Sequence, residues 1–128
     1  MNGLHLIADL YRCRCEPGII LDREVLEARC VDECSNAGLR PLGAYFVQFR
    51  HANGDKAGVT GTVVLAESHL AIHTWPEAGN VTLDVYVCNF SRNNDDRARQ
   101  VFAELIAALQ PEESIRHEIS RGSLREEN

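Results

Sequence analysis

The chain has 128 residues, 45% of them hydrophobic and 25% charged, with a formal net charge of -6. Such a length and composition fit a single soluble globular domain large enough to bury a core. The acidic balance argues against a nucleic-acid partner, because phosphate binding needs a basic surface. No apolar run approaches the ~20 residues of a membrane span, and no secretory leader is visible, so the cytoplasm is the expected compartment.

Taken in order, Leu4 to Tyr11 is expected as a strand, interrupted by His5 and Asp9. Cys13 to Gly18 is expected as a turn closed by Pro17-Gly18. Asp22 is a plausible N-cap for a helix from Arg23 to Asn36. Its expected apolar stripe is Val25, Leu26, Cys30, Val31 and Cys34, and Ala37-Gly38 ends it. Pro41 to Phe49 reads as a second strand, followed by a polar loop from His51 to Gly58. Val59 to Ala66 and His69 to Trp75 read as the third and fourth strands, and Val81 to Cys88 as the fifth. In the fifth, Val81, Leu83, Val85 and Val87 point one way and Thr82, Asp84, Tyr86 and Cys88 the other. Asn94 or Asp95 can cap a second helix from about Asp96 to Leu109, with Pro111 just past its end. Ser114 to Ser120 is expected as a last strand, and Arg121 onward as a fraying tail. This order predicts an α+β two-layer sandwich: a mostly antiparallel sheet with two helices on one face.

The five cysteines are expected to be reduced thiols in a cytoplasmic protein. Cys13 with Cys15, and Cys30 with Cys34, lack the spacing of a zinc knuckle, so packing is their expected role.

The chemically dense stretch is Ala66-Glu67-Ser68-His69-Leu70-Ala71-Ile72-His73-Thr74-Trp75-Pro76-Glu77. His69, Ala71, His73 and Trp75 share one strand face, Leu70, Ile72 and Thr74 the other. A strand that needed only a core would not place two imidazoles and an indole on a single face. His69 and His73 lie roughly 13 Å apart on a strand at ~3.3 Å per residue, so no metal site is expected there.

Glu67-Ser68-His69-Leu70 followed by Ile72-His73-Thr74-Trp75-Pro76-Glu77 resembles the self-cleavage motif of the prokaryotic S-adenosylmethionine decarboxylases. The likeness extends to Gly3 to Tyr11, Gly58-Val59-Thr60-Gly61, Asp84 to Cys88 and Arg121-Gly122, and so covers nearly the whole chain. It implies a single domain over residues 1–128 that cuts itself between Glu67 and Ser68, into 1–67 (β chain) and 68–128 (α chain). It implies the same sandwich fold, and a homodimer with its active sites near the interface.

The implied chemistry is self-consistent. Decarboxylating an amino acid leaves a carbanion, and protein side chains make poor electron sinks. A pyruvoyl group made from Ser68 supplies a carbonyl for a Schiff base with the amino-acid-type substrate. Making it needs a serine in a strained turn, a proton-transfer group and a donor for the carbonyl oxygen. Glu67-Ser68 fits the cut, His73 the proton transfer, and Thr60 can supply a hydroxyl. The resemblance also implies that Cys88 returns the proton after CO₂ leaves. Alternatives stand beside these roles: a turn serine at Ser68, a satisfied core histidine at His73 and a small buried hydrophobe at Cys88. Phe49 and Trp75 either stack on an adenine or form a core pair, and Glu77 either contacts substrate or is a loop carboxylate. His5 and Asp9 fit the core or a dimer contact better than chemistry.

The chain departs from the family pattern at Thr60, where serine is usual, and at Ala78, where tyrosine is usual. It also departs at Val87-Cys88-Asn89, at Val47 between Phe46 and Phe49, and in a longer loop after Phe49. These positions bear on substrate rather than on cofactor machinery. The expected activity is decarboxylation of S-adenosylmethionine for spermidine and other polyamines. The alternative is arginine or ornithine on the same scaffold, with Asp55, Glu77 or Asp84 meeting the distal charge. A non-catalytic paralogue is the third reading.

Overall fold

The structure, a computed structural model, describes residues 2–122. Six strands form one antiparallel sheet: β1 (Gly3–Cys13), β2 (Pro41–Arg50), β3 (Lys56–Leu65), β4 (Ser68–Trp75), β5 (Asn80–Cys88) and β6 (Pro111–Arg121). Their spatial order is β2-β3-β4-β5-β1-β6. The helices are α1 (Pro17–Leu21), α2 (Arg23–Asn36) and α3 (Asp95–Leu109). The expected α+β sandwich is therefore present, with α2 over β2 and β3, and α3 over β1 and β5.

Two local expectations are corrected. Pro17-Gly18 opens the short α1 instead of closing a turn, in keeping with proline's tolerance at the first helical position. Val25 is exposed, because the buried stripe of α2 is Leu26, Cys30 and Cys34 at a strict spacing of four. Asp22 caps α2 as expected, its carboxylate accepting from the N–H groups of Glu24 and Val25 at 2.9 and 3.3 Å. Arg121 lies inside β6, paired with Gly3. The rest of the expected tail, beyond Gly122, falls outside the described residues.

The valine face of β5 meets Leu70, Ile72 and the apolar faces of α2 and α3 in the core. Gly61 has a packing reason: a Cβ there would lie 2.1 Å from the Phe46 ring, which covers its strand partner from β2. An alanine at this position would have to displace that buried ring.

The opposite sheet face carries no helix. Register places Tyr45 and Phe49 of β2, Thr60 and Val64 of β3, and His69, His73 and Trp75 of β4 on it. Asp84 and Tyr86 of β5, His5 of β1, and Ile115 and Ile119 of β6 also lie on it. Six of the nine exposed large hydrophobic side chains among the described residues lie here: Tyr45, Phe49, Val64, Trp75, Ile115 and Ile119. A concentration of this kind marks an interaction surface.

Candidate functional site

Leu65 pairs with Ser68, so Ala66 and Glu67 form the two-residue turn between β3 and β4. Glu67 has φ of 64°, the left-handed region, which costs a residue with a Cβ roughly 1–2 kcal/mol. Tight hairpins normally put glycine or asparagine in such places. Ser91 Oγ donates to both carboxylate oxygens of Glu67, at 3.3 and 3.1 Å. The N–H of Ala66 donates to the Arg40 carbonyl at 3.2 Å. The turn is thus held from both flanks in a conformation its side chain disfavours.

Ser68 Oγ accepts a hydrogen bond from the backbone N–H of Cys88 at 3.1 Å. Cys88 is 7% exposed yet stands outside the main apolar cluster, since its strand parity turns it from the valine face of β5. Its carbonyl accepts from Asn94 Nδ2 at 3.1 Å. Asn89 donates its backbone N–H to the Asn2 carbonyl at 2.8 Å, and its Oδ1 accepts from Asn94 N–H at 2.7 Å. Asn94 sits at the N-cap position of α3 but makes no side-chain cap bond, because its Oδ1 accepts from Arg92 Nε at 3.1 Å while its Nδ2 donates to Cys88. Asn93 takes that task, accepting from the N–H of Asp95 at 2.9 Å. Sequence reasoning missed Asn89, Ser91 and Asn94 as site supports. The signal was the run Asn89 to Asn94, whose short polar side chains readily bond nearby backbone.

Thr60 and His73 are cross-strand partners on β3 and β4, and Thr60 Oγ1 lies 3.1 Å from His73 Nδ1. Trp75 lies next along this face, its ring 6.4 Å from the His73 ring. Phe49 is 52% exposed and Trp75 50% exposed, so neither belongs to a core pair. Glu77 is exposed in the turn after β4. This group occupies the end of the open face remote from Ser68. Ser68 and His73 are five residues apart on one strand, roughly 16 Å at ~3.3 Å per residue. A single chain brings Ser68 to Cys88 and Thr60 to His73, but not His73 to its own Ser68.

A third cluster lies near the Ser68 end. His5 and His69 are both register partners of Tyr86, from opposite sides. His5 Nε2 lies 2.9 Å and His69 Nε2 3.4 Å from the same Asp84 oxygen, Oδ2. Arg121 lies over the Tyr86 ring at 4.8 Å, with Nη1 3.3 Å from His5 Nδ1. The strand pattern alone could not find this cluster, because it depends on β1 joining the sheet beside β5.

The remaining thiols are poor nucleophiles. Burial pushes Cys13 up to about 11, with the Cys15 thiolate adding to the shift. Burial pushes Cys34 up to about 12, and raises Cys15 and Cys30 as well.

A family model described as S-adenosylmethionine decarboxylase matches residues 4–122. A protein of Picrophilus torridus named S-adenosylmethionine decarboxylase proenzyme is 37% identical over 121 residues, covering 94% of this chain and 85% of the relative. A protein of the same name from Archaeoglobus fulgidus is 33% identical over 120 residues, covering 94% and 97%. The crystal structure of the adenosylmethionine decarboxylase of Aquifex aeolicus superimposes with a TM-score of 0.83 at 32% identity, covering 98% of this chain and 95% of that one.

Proposed function

The chain belongs to the S-adenosylmethionine decarboxylase family, and on that premise we propose that it decarboxylates S-adenosylmethionine by means of a pyruvoyl group made from its own Ser68. The product would serve as aminopropyl donor for spermidine and other polyamines. The observation that carries this reading is the Glu67–Ser68 junction, with its left-handed glutamate and its serine oxygen held by Cys88. An arginine or ornithine substrate is not favoured, since the matched family and relatives bear the S-adenosylmethionine decarboxylase name.

The residues at the junction fit the formation of such a group. Ser68 Oγ attacks the Glu67 carbonyl carbon; the peptide C–N bond breaks and an ester forms. Loss of the Ser68 α-proton expels the Glu67 carboxylate, which cuts the chain into 1–67 and 68–128. Water then replaces the nitrogen left at residue 68, releasing ammonia. His73 moves the proton and Thr60 donates to the carbonyl oxygen. Once formed, such a group would supply a carbonyl for a Schiff base with the substrate amine, an electron sink for the pair left by departing CO₂. Cys88 returns a proton to the substrate carbon. Phe49 and Trp75 offer aromatic faces to the adenine and the sulfonium, and Glu77 offers a carboxylate to the substrate amine or ribose.

The separation of these groups supports a homodimer. A two-fold contact through the open sheet face is isologous, and with its axis across the strands it would set the Thr60–His73 end of one chain against the Ser68 end of the other. The six exposed hydrophobic side chains on that face favour such a contact. The cleft beside the Glu67 turn holds only about 120 Å³, below the roughly 300–1,000 Å³ of ordinary small-molecule sites. A cytoplasmic setting is part of the reading, and the five free cysteines accord with it.

The substrate test measures CO₂ release by the purified, cut enzyme from S-adenosylmethionine, arginine and ornithine. Release from S-adenosylmethionine alone is expected; release only from arginine or ornithine overturns the reading. The composite site has its own test. His73→Ala alone should slow chain cutting. Co-expressed with Ser68→Ala chains, which keep His73, the His73→Ala chains should be cut again. If the mixed sample cuts no faster than His73→Ala alone, His73 acts within its own chain.

A further inference from the structure

We propose that His5, His69 and Asp84 form a binding site for a divalent cation of the zinc class. The three ligand atoms lie within 4.8 Å of one another. Asp84 Oδ2 is 2.9 Å from His5 Nε2 and 3.4 Å from His69 Nε2. A tetrahedral zinc with bonds of about 2.0–2.1 Å needs ligand–ligand edges of roughly 3.3 Å, so two of the three edges are already close to length. The ligands stand on β1, β4 and β5, three neighbouring strands whose pairing fixes their spacing. Rigid elements hold ligands better than loops do.

The donor set selects the ion. Two imidazoles and one carboxylate suit zinc and the neighbouring transition metals, whereas magnesium and calcium prefer oxygen ligands. All three donors rise from the open sheet face, and in the proposed homodimer the fourth position, a water or other ligand, lies at the contact with the second chain. Arg121 opposes binding in one respect. Coordination through His5 Nε2 puts the imidazole proton on Nδ1, where Arg121 Nη1 now lies at 3.3 Å. Arg121 is exposed and must give up that contact when the metal enters.

The positions of the ligands suggest what the ion does, and this part rests on the proposed cut between Glu67 and Ser68. His5 belongs to residues 1–67, His69 and Asp84 to 68–128. A shared cation therefore ties the two fragments together. It also holds His69, the residue next to the new chain end at position 68.

The test titrates zinc chloride into the purified full-length protein by calorimetry, after metal and then chelator have been removed. One zinc per chain is expected. His5→Ala and Asp84→Asn should each weaken binding at least tenfold, and Arg121→Ala should tighten it. Cobalt(II) gives a second readout that needs no variant, because a four-coordinate site shows visible d–d bands. Absence of those bands and of saturable zinc binding in the wild-type protein overturns the site. So does equal zinc affinity in wild type and in a His5→Ala protein that melts normally. Zinc should also raise the melting temperature of the cut enzyme but not of cut His5→Ala. A wild-type chain that binds zinc in this way yet never cuts leaves the cation site standing and removes the proposed function together with the tie between fragments.

Discussion

Ser68→Ala is expected to leave a single uncut chain of 14.3 kDa. The wild-type protein should run as two fragments of 67 and 61 residues, since 128 less 67 is 61. The variant removes only the hydroxyl proposed to attack the Glu67 carbonyl. The turn should survive the change, because Leu65 and residue 68 pair through their backbones and Glu67 is held by Ser91. The left-handed Glu67 backbone stores on the order of 1–3 kcal/mol, but strain alone cuts nothing without a nucleophile. The loss should therefore be complete, not partial. Intact-mass analysis decides it: two fragments from Ser68→Ala would mean that the cut, if there is one, does not use this oxygen. An uncut wild-type chain would instead favour the non-catalytic reading.

Why the two halves of the machinery sit apart is a question of sheet geometry. A hairpin brings residues together across strands, not along them. Thr60 meets His73 because they occupy matching places on β3 and β4. Ser68 meets Cys88 because β5 runs back beside β4 to the same end. Nothing in an antiparallel sheet can fold His73 back upon Ser68 of the same strand. The exposure of Phe49 and Trp75 follows from the same arrangement, since both stand on the face without helices.

Much of this was readable from residues alone. The valine alternation of Val81 to Val87 predicted which face of β5 is buried, and the face is buried as read. Asp22 announced the start of α2, and Gly38, with φ of 87°, follows its end. The alternation in β4 put His69, His73 and Trp75 on one face, away from Leu70 and Ile72. What could not be read was lateral order. A strand pattern says that β1 is half buried but not that it lies between β5 and β6. For that reason His5 had no partner in the sequence, and Asp84 could be assigned only to a general polar face. The short α1 was hidden by Pro17-Gly18, which commonly marks a turn. Asn94, one of the two expected caps, does stand at the N-cap of α3, but its side chain is turned to Arg92 and Cys88 and it is Asn93 that bonds the Asp95 N–H.

The second large effect is expected at Cys88, where backbone and side chain have different tasks. The backbone N–H holds Ser68 Oγ at 3.1 Å, and Asn94 fixes the following carbonyl at 3.1 Å. Cys88→Ala keeps both contacts. Chain cutting and pyruvoyl formation should therefore proceed in the variant. Decarboxylation should not, because the thiol proposed to return a proton to the substrate carbon is gone. A positioned proton donor is worth about 10²–10⁴ in rate, or roughly 2.7–5.5 kcal/mol of barrier at 1.36 kcal/mol per tenfold. The loss should fall on kcat more than on KM, since substrate binding does not depend on the proton donor. The measurement is single-turnover CO₂ release by fully cut Cys88→Ala, with the extent of cutting established first by mass. Release at the wild-type rate would make the Cys88 thiol a packing group and reduce its part in the site to the backbone N–H. A variant that fails to cut would instead show that the thiol acts earlier, during maturation of Ser68.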